Sequence, residues 1–235
     1  MAIDFVPFDP GLVSFIRRIL SVAETGKAEW NPSSVYIYAD DNRYNPARKQ
    51  VTLSIGFTEN GNLKKVLERY IIKGGKLMAS FAGYLPTLGS PPSRAGDEKF
   101  IGLLKEAGKE TVMVEAQMEC FEEFYLGPAF KWAKQNGFAL PLSYLVIADS
   151  FLHSGSMLGF LMSSFPEKKP AAGGDEKVWI RDYLAARKKW LAGHSNKILQ
   201  GTVYRANCFI AELTRDNWML ATSPINMHGT NVAYA

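Results

Sequence analysis

Two cysteines, three histidines and no long apolar run leave few routes to several common functions. Cys120 and Cys208 lie far apart in apolar, helical-looking sequence, so a CxxC metal or redox site is excluded. Core thiols are the plain reading, and a disulfide stays open because spacing alone does not fix whether the two approach each other. His153, His194 and His228 accompany no serine or cysteine elbow and no histidine pair at ligand spacing, so they read as structural, and neither a metal nor a cofactor is expected. No stretch approaches about 18 uninterrupted apolar residues, which argues against a membrane partner. The opening MAIDFVPFDPGLVSFIRRIL has no basic segment followed by an apolar core and a small-residue cleavage site, so no secretory signal is read in it. The net charge of +4 is spread thinly, with no Lys/Arg run interleaved with aromatics, and nucleic acid is not expected as a partner. Such a surface suits an anionic wall polymer better than a cationic one, although net charge does not set the sign inside a cleft.

What is present is a globular chain of 235 residues, 47% hydrophobic and 21% charged, enough for one large core or one domain of two lobes. Asp9-Pro10 is a helix start, and Leu12, Phe15, Ile16, Ile19 and Val22 or Ala23 recur at helical spacing up to Glu24-Thr25-Gly26. Two β-rich runs, Val35 to Ala39 and Val51 to Phe57, flank a polar segment and read as a hairpin with a long loop. Asn60-Gly61 closes it, and a helix from Leu63 to Ile71 is stopped by Gly74-Gly75. Helices are expected over Leu77 to Leu85, Asp97 to Ala107, from Glu110 onward with a division at Gly127-Pro128, and over Leu142 to His153 as a central apolar helix. Further helices run from Asp175 to about Ala192 and from Asn196 to about Leu213. Leu88 to Gly96 and Lys168 to Gly174 read as loops, the second as a flexible one, and the last twenty residues as an ordered tail. The fold expected is mainly α, of α+β type, with two helical lobes. A hairpin-bearing lobe spans roughly residues 25–85, and the two lobes are bridged by the helix around 110–135 and enclose a groove.

Glycoside hydrolysis needs one carboxylic acid to protonate the leaving oxygen and one carboxylate to activate water or attack the sugar, on opposite sides of a cleft. A helix end facing a hairpin can supply both. Glu24 closes the first helix beside Val22 and Ala23, where apolar surroundings would keep it protonated, and Asp40 or Asp41 stands at the hairpin turn beside Asn42 and Arg43, which would keep one of them ionised. Trp30, Tyr36, Tyr38 and Tyr44 could stack on sugar rings or belong to the core. Asp149 in an apolar helix needs a partner, since a buried carboxylate is costly alone.

The ordered set of segments resembles the family 46 chitosanases of the lysozyme-like class. VAE with a Trp beyond it, a Tyr-rich strand, an Asp-x-Arg turn and a Thr strand entering IGF come first. KLMASFAGYLPTL, YLGPAFKWAKQNGF, SYLVIADSFLHSG, YLAARKKWL and TVYRANCFI follow in the family's order. The resemblance implies an endo-acting, inverting hydrolase of β-1,4-linked glucosamine polymer, with Glu24 as general acid, Asp41 as general base and Thr52 positioning the water. The two carboxyls of an inverting pair stand about 6.5 to 9.5 Å apart. It implies a network behind the acid made of Asp149, Arg187 and Arg205, and substrate contacts from Arg43, Tyr38, Glu59 and Asn62. A polysaccharide is the implied partner, the protein acting as a monomer outside the cytoplasm.

The turn Asp40-Asp41-Asn42-Arg43-Tyr44 departs from the family's glycine-rich turn, and additional residues within Asn45 to Gln50 separate it from the threonine strand. Asp40 is therefore the alternative base. The family's amine-binding acid is represented only by Glu59 or Asn62. A peptidoglycan muramidase on the same scaffold is the second reading and a non-catalytic carbohydrate-binding protein the third. An exposed Glu59 in an acidic cleft would favour chitosan, and a basic cleft the wall polymer.

Overall fold

The structure, a computed structural model, describes residues 8–41, 43, 44 and 46–234. The described chain divides into two compact units, one of residues 30–123 and one of residues up to 29 together with 124 onward. The hairpin-bearing unit thus runs well past the boundary near residue 85, because the helices that follow pack on the same sheet and helix.

The unit that holds the residues up to 29 opens with α1 (Pro10–Thr25), where the Asp9 carboxylate accepts from the Leu12 amide at 3.0 Å and Pro10 occupies the first helical position. Its apolar positions repeat every three to four residues, so Phe15, Ile16, Ile19 and Leu20 are sealed from solvent. Gly26, at φ 75, takes the left-handed conformation that ends the helix.

Within residues 30–123, β1 (Val35–Asp41), β2 (Arg48–Leu53) and β3 (Phe57–Thr58) form an antiparallel sheet in that order. The second β run was expected to be a single strand to Phe57. It breaks instead at Ser54 (φ 50) and Gly56 (φ 87), whose positive φ angles reverse the chain so that Phe57 pairs with Leu53. Next come α2 (Leu63–Ile72), α3 (Met78–Ala82), α4 (Glu98–Ala107) and α5 (Thr111–Phe121). Trp30 joins this core, its indole donating to Gln117 Oε1 at 3.0 Å and its ring meeting Phe121. Tyr70 of α2 is sealed, donating to Glu110 Oε1 at 2.7 Å and accepting from the Leu77 amide at 3.0 Å. That one phenol ties α2 to the chain on either side of α4.

The chain continues through a π-helical turn at Glu122–Leu126 into α6 (Gly127–Gln135), so the glycine-proline pair bends a helical run rather than ending it. The other unit is completed by α7 (Pro141–Ser154), α8 (Gly159–Met162), α9 (Glu176–Ala192), α10 (Lys197–Gly201), α11 (Tyr204–Thr214) and a terminal hairpin of β4 (Ile225–Met227) and β5 (Thr230–Val232). The tail was expected to be ordered, and the hairpin is its form. Every residue of α7 from Pro141 to Ser150 is buried, as suits a helix packed on all sides. Trp179 of α9 is stacked on Tyr183 and ringed by Trp132, Phe138 and Phe165. The Lys168 to Gly174 segment, expected to be flexible, is tightly folded: a Cβ on Gly174 would lie 1.7 Å from the Lys168 carbonyl oxygen. Cys120 and Cys208 are both free thiols, and burial pushes Cys120 up to about 11.

Tyr70→Phe is expected to destabilise the protein by about 1–3 kcal/mol, since it removes the partner of a half-buried amide and of a carboxylate oxygen. Urea unfolding followed by tryptophan fluorescence measures it, and an unchanged midpoint would show that water replaces the phenol freely.

Candidate active site

In the unit that contains α1, Glu24 sits in the helix's last turn, where the dipole disfavours a carboxylate. The sequence around it carries no cation in that turn, and the compensation comes from α11: Arg205 Nη1 donates to Glu24 Oε1 at 2.5 Å. Arg205 also donates to Asp149 of α7, through Nε at 3.0 Å and Nη2 at 2.6 Å. The second oxygen of Asp149 takes Arg187 Nη1 of α9 at 2.6 Å. Asp149 and Arg187 are wholly buried and Arg205 nearly so, whereas the Glu24 side chain keeps 19% of its surface. Burial alone would raise Asp149, but the two guanidiniums outweigh it and hold the carboxyl down at about 2. His153, one turn along α7, lies 3.3 Å from Arg187, and burial together with the two arginines lowers it to about 3.

In residues 30–123, β1 and β2 pair in regular register from Val35↔Leu53 to Ala39↔Lys49, and then Asp41 pairs with Arg48. Asp40 is the extra residue of a β-bulge. Residues 48, 50 and 52 alternate along β2, so the bulge places Asp41 on the face of Arg48, Gln50 and Thr52, where strict alternation would have put Asp40. Asp41 is clamped there by Arg43, whose Nε and Nη2 each donate at 2.8 Å to separate carboxylate oxygens, and by Asn60 Nδ2 at 3.0 Å. The bidentate Arg43 contact, helped by Asn60, keeps Asp41 well below the usual carboxylate range, at about 2. Gln50 links the two aspartates, donating to Asp40 Oδ1 at 2.8 Å while its Oε1 accepts from the Asn60 amide at 3.1 Å. Thr52, between Tyr36 and Thr58 in the sheet, is buried, and its hydroxyl has no hydrogen-bond partner among the described residues. A depression of roughly 270 Å³ opens beside Asp41, Arg43, Arg48 and Gln50. Arg48 stacks on the Tyr44 ring at 3.9 Å.

A family model described as glycosyl hydrolase family 46 matches residues 18–223. The chain belongs to glycosyl hydrolase family 46. A Streptomyces chitosanase is 25% identical over 190 residues and a Nocardioides chitosanase 28% over 188, each match covering 77% of this chain and 66% of the relative. The chain therefore spans just under two thirds of these relatives. Among solved structures, a Bacillus subtilis chitosanase mutant complexed with six glucosamine units shares the fold at TM-score 0.80, with 20% identity, covering 97% of this chain and 100% of that one. A Gynuella sunshinyii chitosanase complexed with chitotetraose gives the same score and identity, covering 97% and 99%. The expected mainly helical, lysozyme-like fold with a small sheet is the fold of this family 46 chain.

Two expectations for the family 46 site are corrected. Glu24 was expected against apolar side chains and has a guanidinium instead, because its neighbourhood is set by α11 rather than by adjacent residues. Glu59 was expected to meet substrate and is buried. Its oxygens accept from Ser93 Oγ at 2.7 Å, the Arg94 amide at 2.8 Å and the Val51 amide at 3.3 Å, so it anchors the loop that ends in the 3-10 turn Arg94–Gly96. Arg187 and Arg205, assigned by the resemblance to a network behind Glu24, are interior and both paired with Asp149. Asn62 takes the N-cap position of α2, and Tyr38 is exposed on β1 with its ring stacked on Tyr36. Asn42 lies outside the described residues. Sequence reading passed over Gln50 and took Asn60 only as the close of the hairpin and His153 only as structural, for the sheet register and the packing of α7 on α9 are what bring them to these groups. A polar residue alternating with Thr52 was the one available signal for Gln50.

His153 supplies a pH test. Its folded value lies near 3 and its unfolded value near 6.5, so the unfolded chain binds the extra proton and stability is fully present above about pH 6.5 and lost as pH falls toward 3. Urea unfolding at pH 7 and pH 4 is expected to show this loss, and His153→Gln to flatten that part of it. An equal slope in the variant would assign the loss to other groups.

Proposed function

We propose that the protein is an endo-acting chitosan hydrolase that inverts the anomeric centre, with Glu24 as general acid and Asp41 as general base. The observation that carries the reading is that each candidate carboxylate is individually held by a guanidinium in a family 46 chain, Glu24 by Arg205 and Asp41 by Arg43. Arg205 occupies Oε1 of Glu24, which leaves Oε2 to carry the proton to the leaving oxygen. Arg43 and Asn60 orient Asp41 and keep it ionised, the state a base needs when water is to be activated. The partnerless hydroxyl of Thr52 is suited to hold that water, since a buried hydroxyl without a partner gains from binding one. Asp149 and Arg187 hold Arg205 rather than meeting sugar. Arg43 and Tyr38 are exposed, and the reading gives them contacts with substrate. Chitosan as substrate is supported by the relatives, which are named chitosanases, and by neighbours holding glucosamine oligomers. Such a polymer is met outside the cytoplasm, and among the described residues no helix is long and apolar enough to cross a membrane.

One observation favours the second reading. Glu59, the acid expected to recognise an amine, lines the depression but is buried with its oxygens taken by Val51, Ser93 and Arg94, and Arg48 stands near Asp41, an arrangement more compatible with a wall polymer. Sugar release from chitosan and from purified peptidoglycan, measured in parallel, separates the two.

Glu24→Gln and Asp41→Asn are each expected to lose about a hundredfold or more in kcat on the polymer that wild type cleaves, whereas Asp40→Asn retains most of it. Greater loss in Asp40→Asn than in Asp41→Asn would transfer the base to Asp40. Proton NMR of the first product is expected to show the α-anomer from the β-linked polymer, and a β-anomer would sink the inverting route.

A further inference from the structure

The last turn of α1 ends in carbonyls that no further helical amide reaches, the ordinary condition of a helix C-terminus. Ser21 O is taken by Thr25 Oγ1 at 2.8 Å and Val22 O by the Gly26 amide at 2.9 Å. The carbonyl of Ala23 is served from the far end of the chain. The Tyr204 hydroxyl donates to it at 2.6 Å and Arg205 Nη1 at 3.1 Å. That same Nη1 also donates to Glu24 Oε1. The guanidinium thus bridges the carbonyl of one residue and the carboxylate of the next, with Tyr204 supplying the carbonyl's shorter bond.

Tyr204 is itself braced by the β4–β5 hairpin. His228 turns that hairpin with φ 50 and lies on the Tyr204 ring, centroids 4.3 Å apart and planes 23° from parallel. Its amide donates to Cys208 Sγ at 3.4 Å. On α1, Thr230 Oγ1 donates to Gly26 O at 3.3 Å, and Arg18 Nη1 reaches Ala233 O at 2.8 Å, so the hairpin segment grips the helix on both sides of Glu24. The hairpin lies past residue 223, where the family match ends, so family membership does not by itself imply these contacts.

We propose that Tyr204, braced by His228, is a positioning residue for Glu24: by satisfying the Ala23 carbonyl it leaves Arg205 free to keep its donor on the carboxylate. The inference rests on the reading of Glu24 as the acid. The titratable and charged groups facing this point are Arg205 and Cys208 from α11, Asp149 and His153 from α7, Arg187 from α9 and His228 from the hairpin. Burial pushes the Tyr204 phenol up from its ordinary value, so the hydroxyl keeps its proton and remains a donor across the working range.

Tyr204→Phe keeps the ring and its stack and removes only the donor. With chitosan as the probe, kcat is expected to fall about tenfold with KM changed by no more than about twofold. The alkaline limb of the kcat profile is expected to move to higher pH, because a carboxyl with a looser cation beside it yields its proton less readily. The limb is the deciding readout: a merely structural tyrosine would lower the melting temperature and leave the limb in place, and that result overturns the proposal. If Tyr204→Phe does not fold, His228→Ala, which retains the hydroxyl and removes its brace, is expected to move the limb the same way by less, and an unmoved limb there overturns the proposal equally. Glu24→Gln in the same assay separates the two levels. Retained activity in Glu24→Gln removes the acid assignment, whereas an inactive Glu24→Gln beside an unmoved limb in Tyr204→Phe removes only the positioning role.

Discussion

The guanidinium of Arg205 is the point on which the unit containing α1 depends. It touches a backbone carbonyl, the carboxylate of Glu24 and, through two of its nitrogens, one oxygen of Asp149, drawing together α1, α7 and α11. Arg187 draws in α9 through the other oxygen of Asp149. Two cations around one wholly buried anion would be intolerable separately, and removing one partner of such a group typically costs about 3–5 kcal/mol because a charge is left uncompensated. The arrangement is therefore as much a rule about how three helices may pack as a feature of the site.

A carboxylate in the last turn of a helix meets the negative end of the dipole, and nothing local to Glu24 relieves it. Relief arrives from residues nearly two hundred positions away, together with the donors that close the helix's open carbonyls. The Glu24 side chain nonetheless keeps 19% of its surface. Under the proposed reading, electrostatic compensation falls to Oε1 and proton transfer to Oε2, which is how a group can be both anchored and reactive.

In residues 30–123 the equivalent work is done by backbone geometry. One bulge residue changes which aspartate faces Gln50 and Thr52, and a short polar chain through Gln50 and Asn60 fixes both. Glu59, adjacent to Asn60, spends its charge on a loop, accepting from Ser93 and Arg94. Neighbours in the turn that follows β3 thus take different partners, Asn60 holding the candidate base and Glu59 a loop, although Asp41 and Glu59 line the same depression.

The order and character of the helices were legible in the sequence, since helix signals are local: Asp9 and Pro10 at the start of α1, the repeated apolar positions after them, Asp97 and Asp175 as caps, and the unbroken apolar run of α7. So were the residue types of the candidate site, because the Glu24 and Asp41 segments stand in the same order as in their family. The tertiary structure alone decided that Glu24 meets Arg205 rather than apolar side chains, that Asp41 rather than Asp40 pairs opposite Arg48, that Glu59 is interior, and that the tail is a hairpin gripping α1. Each of these turns on a contact between residues distant in sequence or on a one-residue shift in strand register. Local composition carries no record of either, because the partner's position is fixed only when the helices and strands pack.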